Sequence, residues 1–367
     1  MRLALAESEA GLGVTSPNPS VGAVVVRDGV VVGRGRTQPV GGPHAEAVAL
    51  AEAGEAARGG TLYVTLEPCD HTGRTPPCTA AIINAGIARV EYAIHDPDER
   101  VSGAGERRLR AAGVEVARGD GAAESTRLLE GYLKHRRTGT PAVIVKYAAS
   151  LDGRIASASG DARWVSGPEA REWVHRLRTR VDAIAVGSGT VLADDPELTA
   201  RPTGIADPHQ PLRVVLDARG RTPATARVLT GAGSTLVVTA ESSSQAWREG
   251  IAAAGAEVLT LPVADGYVDI NALLHALGER GVLTLLVEGG GTLLGTFFDQ
   301  RKVDRLYAVI APVIIGAASA PAAVSGRGAQ RMADAPRLQD LTVERLGNDT
   351  VISGVPVWPG EDTSPGR

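Results

Sequence analysis

The sequence predicts an α/β protein built as two layered domains. Three observations predict it. Short apolar runs of strand length alternate with helix signals along the whole chain. A basic run, Lys134-His135-Arg136-Arg137, followed by Thr138-Gly139-Thr140-Pro141, interrupts that alternation once. The length of 367 residues matches two domains at about 150 residues each.

Val21 to Val26 reads as a buried strand, and Gly29 turns the chain into Val30-Val31-Val32. Pro43 to Gly54 reads as a helix with proline at its start and glycine at its end. Thr61 to Leu66 is a strand, Cys78 to Ala85 a helix stopped by Gly86, and Val90 to Ile94 a strand. Leu109 to Gly113 reads as a helix end, and Val114 to Val116 as a further strand. Such alternation favours a mostly parallel sheet. The basic run reads as a solvated helix end plus linker, which sets domains at 1–140 and 141–358. The second domain repeats the alternation: strand Ala142 to Lys146, helix Pro168 to Arg178, then strands at Ala183, Leu212, Leu236 and Leu283. The Pro/Gly-rich tail, 359–367, reads as flexible.

Composition narrows the function. Hydrophobic residues are 43% and charged residues 22%, which excludes wholesale disorder. A net charge of −4 argues against nucleic acid as partner, because phosphate neutralisation needs clustered Lys and Arg. The apolar runs fall far short of the ~20 residues of a membrane helix. Glu7 and Glu9 stand where a signal peptide would be apolar. With two cysteines and no disulfide framework, the expected compartment is the cytoplasm.

His44, Cys69 and Cys78 are the soft-metal ligand candidates. Three protein ligands leave one position of a tetrahedral zinc open, which distinguishes a catalytic from a closed structural site. Zinc so held lowers the pKa of bound water to about 7. Glu46 follows His44 by two residues, a spacing that shares no helix face; the two converge only if the metal sits over the helix N-terminus. Cys78 opens a helix after Pro76-Pro77, where the dipole favours a thiolate. The pattern H-x-E…P-C-x-x-C marks zinc nucleobase deaminases; here eight residues replace the two between the cysteines. A loop-stapling zinc and a pair of inert thiols are the competing readings.

The stretches Thr15-Ser16-Pro17-Asn18-Pro19-Ser20-Val21-Gly22, Pro43-His44-Ala45-Glu46 and Thr65 through Cys78, with its Gly73-Arg74-Thr75-Pro76-Pro77, carry a resemblance. This half resembles the deaminase domain of the bifunctional pyrimidine deaminase/reductase of bacterial riboflavin biosynthesis. The resemblance implies a cytidine-deaminase-like three-layer fold. It also implies that His44, Cys69 and Cys78 bind Zn2+, that Glu46 shuttles protons, and that Asn18, His71 and Arg74 contact the substrate, with Arg74, a permanent cation with a forked set of donors, as a partner for the ribose phosphate. The family often carries a histidine where this chain has Arg36-Thr37, which puts one substrate contact in doubt.

The second half lacks a Gly-x-Gly-x-x-Gly fingerprint. Instead, Val287-Glu288-Gly289-Gly290-Gly291-Thr292 lies between a strand and the helix Leu293 to Phe298. Consecutive glycines at a helix N-terminus let backbone N–H groups approach a phosphate; a flexible turn is the alternative. Lys146 to Arg154 and Val186 to Pro196 likewise put small and polar residues at strand ends. Together they resemble the reductase domain of the same family, with a dihydrofolate-reductase-like fold. That resemblance implies NADPH against Ala148, Trp164, Thr190, Asp194 and the segment Gly290, Gly291, Thr292, Leu293, Leu294, Gly295 and Thr296. It implies substrate contacts from Lys146, Arg178, Leu198, Arg201 and Glu288. Ala218 stands where relatives can carry a hydroxyl near the cofactor, and Arg219 and Arg221 are open candidates for its 2′-phosphate. The implied activity is hydrolytic deamination of 2,5-diamino-6-ribosylamino-4(3H)-pyrimidinone 5′-phosphate, then NADPH-dependent reduction of its ribosyl group to ribityl, in a homo-oligomer. A nucleobase or nucleoside deaminase with a non-catalytic nucleotide-binding second domain is the rival.

Overall fold

A computed structural model of the chain describes residues 1–73, 76–98 and 101–360. The chain divides into two compact units, Met1–Pro141 with Gly278–Leu283, and Ala142–Leu277 with Thr284–Arg367. The excursion 278–283, which the sequence pattern assigns to the second domain, belongs to the first. There Leu283 joins the core, and Gly278 accepts a 3.0 Å hydrogen bond from His135. From residue 361 the expected tail lies outside the described residues. Among the described residues, no helix is long and apolar enough to cross a membrane.

The first unit runs α1 (Arg2–Ala10), β1 (Gly22–Arg27), β2 (Val30–Arg36), α2 (Ala45–Ala53), β3 (Thr61–Leu66), α3 (Cys78–Asn84), β4 (Arg89–Ile94), α4 (Ala104–Ala111), β5 (Glu115–Arg118), α5 (Ala122–Leu128) and α6 (Glu130–Thr138). Its sheet has the order β2-β1-β3-β4-β5. The step from β3 through β4 to β5 is parallel, but β1 is antiparallel to both neighbours, so the expectation of a mostly parallel sheet fails at that edge. The hairpin turn at Asp28-Gly29 allows antiparallel pairing with no crossover helix.

Two glycines on opposite faces make this a three-layer unit. A Cβ on Gly22 would stand 1.9 Å from the Ala4 carbonyl oxygen, and one on Gly35 would stand 2.3 Å from that of Ala45. Gly35 pairs with Ala23, the residue after Gly22, and successive residues of a strand point to opposite faces. Helix α1 therefore lies on one face and α2 on the other, each in backbone contact with the sheet.

The second unit contains β6 (Ala142–Ser150), α7 (Pro168–Arg178), β7 (Ala183–Gly187), α8 (Ser188–Asp194), β8 (Leu212–Leu216), β9 (Thr235–Thr239), α9 (Gln245–Ala253), β10 (Glu257–Thr260), the short pair β11 (Val263–Ala264) and β12 (Tyr267–Val268), α10 (Ile270–Glu279, whose last two residues lie in the excursion), β13 (Thr284–Val287), α11 (Gly291–Asp299), β14 (Arg305–Ala311), β15 (Arg337–Leu346) and β16 (Asp349–Val357). A nine-stranded sheet has the order β10-β9-β8-β7-β13-β6-β14-β16-β15. It is parallel from β10 to β14 and ends in the antiparallel strands β16 and β15. Its central strands are buried on both faces: Ala183 to Val186 and Leu285 to Val287 are closed to solvent, as parallel strands covered on two sides are.

Candidate active site

Three short segments of the first unit converge on one point. His44 is the N-cap of α2, in extended conformation. Cys69 follows β3, and Cys78 is the first residue of α3, capped by Pro77. His44 Nδ1 stands 3.6 Å from Cys69 Sγ and 3.3 Å from Cys78 Sγ, and all three ligand atoms lie within 4.8 Å of one another. Donors around one tetrahedral zinc, at about 2.3 Å to sulfur and 2.0 Å to nitrogen, stand about 3.5–3.8 Å apart. The donor set and its spacing therefore fit zinc.

The thiols share one acidic proton. The hydrogen bond from Cys78 pulls the Cys69 thiol down to about 4, while the same bond and burial push the Cys78 thiol up. The resulting thiolate raises the pKa of His44, chiefly through their hydrogen bond. Glu46, in the first turn of α2, is 4% exposed, and burial lifts its carboxyl to about 7.

Above this trio lies a cavity of about 250 Å³ whose walls include His44, Glu46 and Cys69. Asn18 and His71, which the resemblance offers as substrate contacts, line it, and His71 Nδ1 is buried with no partner among the described residues. Arg74 lies outside the described residues. Thr37 lines the cavity; its Oγ1 accepts the Val21 N–H at 3.1 Å, so it holds the strand start.

Four further wall residues escape sequence reasoning: Asp96, Asp98, Tyr132 and Arg136. Asp96 follows the carboxyl end of β4, where open α/β sheets bind ligands, and that position is the available signal. Tyr132 donates to both Asp96 oxygens at 3.0 and 3.1 Å, and burial still pushes this carboxyl up to about 6. Buried Glu67 accepts from the N–H groups of Gly103 (3.1 Å) and Glu106 (3.4 Å) at the start of α4. It thereby ties the Cys69 loop to the segment after β4.

In the second unit the sheet itself builds a charged cluster. Register pairs Val145 of β6 with Val287 of β13, so the next residues, Lys146 and Glu288, stand side by side. Lys146 Nζ lies 3.2 Å from Glu288 Oε2. Arg178, closing α7, grips the same carboxylate with Nε at 2.8 Å and a terminal nitrogen at 3.0 Å. Glu288 is held at about 2, its desolvation outweighed by these two cations. Arg178 also donates to the Thr199 carbonyl at 3.0 Å. Beside it Leu198 is buried with φ +55°, a conformation that costs a non-glycine residue about 1–3 kcal/mol. Arg201 reaches Glu197 and Thr199, and its N–H donates to His175 Nδ1 at 3.2 Å. His175, which no sequence pattern singles out, sits one helical turn before Arg178; burial and the charges of Arg178 and Arg201 hold its pKa down. The carboxyl end of β13, beside the middle of β6, thus carries one buried anion under two cations, with a third near by.

The glycine segment opens beside that cluster. Gly290 N–H donates to Thr190 Oγ1 at 2.9 Å, joining the first turn of α8 to the loop after β13. Helix α11 begins at Gly291 with no side-chain cap, so its first N–H groups are available to an anion. Nothing stands within 4 Å of where a Cβ on Gly189 would be. These features fit a phosphate-bearing cofactor. Thr292 is exposed and Leu293 and Thr296 half-buried. Leu294 is buried at 1%, and a Cβ on Gly295 would stand 1.7 Å from the Ser325 carbonyl oxygen, so this turn of the helix packs closely on the segment at Ser325. Ala148 is half-buried against the small cluster of Ala170, Val309 and Val351. Trp164 is 70% exposed under the Arg171 guanidinium, 4.8 Å from its ring centre. Asp194 ends α8, and its carbonyl accepts from Arg163 at 2.8 Å. Arg221 donates to Ser188 Oγ at 2.8 Å, and Ala218 is half-buried two residues after β8.

Fold and sites together define a zinc-dependent pyrimidine deaminase joined to a nucleotide-dependent reductase. Residues 1–94 match the cytidine and deoxycytidylate deaminase zinc-binding region, and residues 141–352 match the RibD C-terminal domain. The riboflavin biosynthesis protein RibD of Escherichia coli K12 is 40% identical over 362 residues, covering 96% of this chain and 97% of that protein. RibD of Aquifex aeolicus is 40% identical, covering 96% of each chain. Among solved structures, Acinetobacter baumannii RibD superimposes with a TM-score of 0.87 at 37% identity over 97% of both chains. The Thermotoga maritima diaminohydroxyphosphoribosylaminopyrimidine deaminase/5-amino-6-(5-phosphoribosylamino)uracil reductase gives 0.86 at 34%, again over 97% of both. The chain belongs to the RibD family: it is a bifunctional deaminase and reductase of riboflavin biosynthesis, with zinc and NADPH as its cofactors.

Proposed function

We propose that the two activities divide between the two units along the residues just described. The observation that carries the reading is the convergence of His44, Cys69 and Cys78 beside buried Glu46 in one cavity. His44, Cys69 and Cys78 would hold the zinc, which when bound acts as a Lewis acid and brings the pKa of water down to about 7. Asn18 and His71 orient the pyrimidine. Glu46 accepts a proton from the attacking water, returns it to the ring nitrogen, and moves the next one to the leaving amine. Water adds at the carbon bearing the 2-amino group and ammonia leaves, so the diamino ribotide becomes the uracil-type product.

In the second unit, Gly290, Gly291 and Thr292 cradle the cofactor's phosphates, with Thr190, Asp194, Trp164 and Ala148 along its length. NADPH supplies the hydride when bound. Lys146, Arg178, Leu198, Arg201 and Glu288 place the ribosyl phosphate, and this positioning is the protein's main contribution to the step. Glu288 offers carboxylate oxygens to sugar hydroxyls, while Arg201, the most solvent-open of these cations, suits the phosphate. A homo-oligomer, implied by the resemblance, and a cytoplasmic location, expected from the two cysteines and the absent disulfide framework, are part of the same reading.

Arg201→Ala tests the division. Removing a phosphate-binding guanidinium from an exposed position is expected to raise KM for reduction by about 10-fold and to leave ammonia release from the diamino ribotide unchanged. Equal loss in both activities would contradict the split.

A further inference from the structure

The basic run at the end of α6 does not lie wholly in solvent. Arg137 and Thr138 are exposed, but Tyr132 and Arg136, one helical turn apart and so on one face, both line the deaminase cavity. The guanidinium of Arg136 sits 5.1 Å from the centre of the Tyr132 ring.

Its donors are poorly used within the protein. An arginine has five N–H donors in a fixed fork. The Nε of Arg136 is buried with no partner among the described residues. One terminal nitrogen lies 3.5 Å from the Pro17 carbonyl oxygen and the other 3.9 Å from Asp98 Oδ2, both beyond a strong hydrogen bond. Arg136 therefore bridges the two loops at the cavity rim without satisfying its fork. It is also the single Lys or Arg among the described lining residues, in a wall that carries the carboxylates of Glu46, Glu67, Asp96 and Asp98. A phosphate dianion entering that wall meets net repulsion unless a cation stands ready.

We infer that Arg136 reads the 5′-phosphate of the deaminase substrate, pairing its guanidinium with the phosphate oxygens while Tyr132 and Asp98 hold the side chain in place. The inference rests on the reading that the substrate is a ribotide, and it adds a specificity determinant to that site. A guanidinium fork matches phosphate oxygens in pairs, so selectivity for the ribotide over the riboside is assigned to this residue.

The test compares deamination of the diamino ribotide with that of its dephosphorylated riboside, measured as ammonia release by the zinc-loaded full chain. Arg136→Met is expected to lower the ribotide-to-riboside ratio of kcat/KM by about 10- to 100-fold, the range for a charge-assisted pair, through KM of the ribotide and not through kcat. A purely structural role, acting through Tyr132 and Asp96, would lower kcat and depress both substrates together; that outcome, or an unchanged ratio, overturns the inference. Should the methionine variant not fold, Arg136→Gln carries the same comparison with a polar side chain. Failure of the wild-type chain to deaminate the ribotide at all would instead refute the functional reading.

Discussion

Glu46→Gln is expected to lower deamination by about 10²- to 10⁴-fold, the range for loss of a general acid–base group. Glutamine has the shape of glutamate but no basic oxygen with which to take a proton from water. The three metal-ligand atoms, clustered within 4.8 Å, are untouched, so bound zinc should equal that of the wild type. Reduction of the preformed deaminated ribotide should also persist, because Lys146, Arg178 and Glu288 belong to the other unit. Ammonia release, metal analysis and NADPH oxidation on one sample check all three statements. A variant that still deaminates at near the wild-type rate would remove Glu46 from the chemistry.

Cys69→Ser is expected to lose the metal and with it deamination, down to the background rate. Cys69 is the residue of the trio drawn furthest toward the thiolate form, and a serine hydroxyl does not ionise at neutral pH. The two remaining donors leave zinc half-held. All four tryptophans, at 164, 173, 247 and 358, lie in the second unit. Its intrinsic fluorescence should therefore be unchanged, and NADPH oxidation with the deaminated ribotide should continue. Full zinc occupancy in this variant would sink the ligand assignment.

What the sequence discloses follows from how its chemistry is distributed. The zinc trio is legible because each ligand sits at an element boundary that proline announces, and because few other residue types bind a soft metal. The Lys146–Glu288 pair is legible only through resemblance: 142 residues separate the partners, and they meet because of a strand register that no local pattern encodes. Asp96, Tyr132 and Arg136 are illegible for a related reason, since a helix end and a strand end become one wall only after the sheet has formed. Among the elements, α1 escapes notice because it offers only Ala4 and Ser8 to burial, too few to mark a helical face. The terminal strand β15 escapes because it is almost wholly exposed, so it shows no alternation of apolar and polar residues. The antiparallel edges of both sheets go unread because apolar runs report burial and not strand direction.

The most direct test of the whole account is NADPH oxidation on addition of the diamino ribotide, with and without prior removal of zinc by a chelator. The account predicts oxidation by the zinc-loaded chain, its arrest on chelation, and its return when the deaminated ribotide is supplied to the chelated chain. Oxidation of the diamino ribotide that continues without zinc would show that reduction does not wait for deamination. No oxidation with either ribotide, despite bound zinc, would contradict every role assigned here to Lys146, Arg178, Arg201, Glu288 and the Gly290–Thr292 turn.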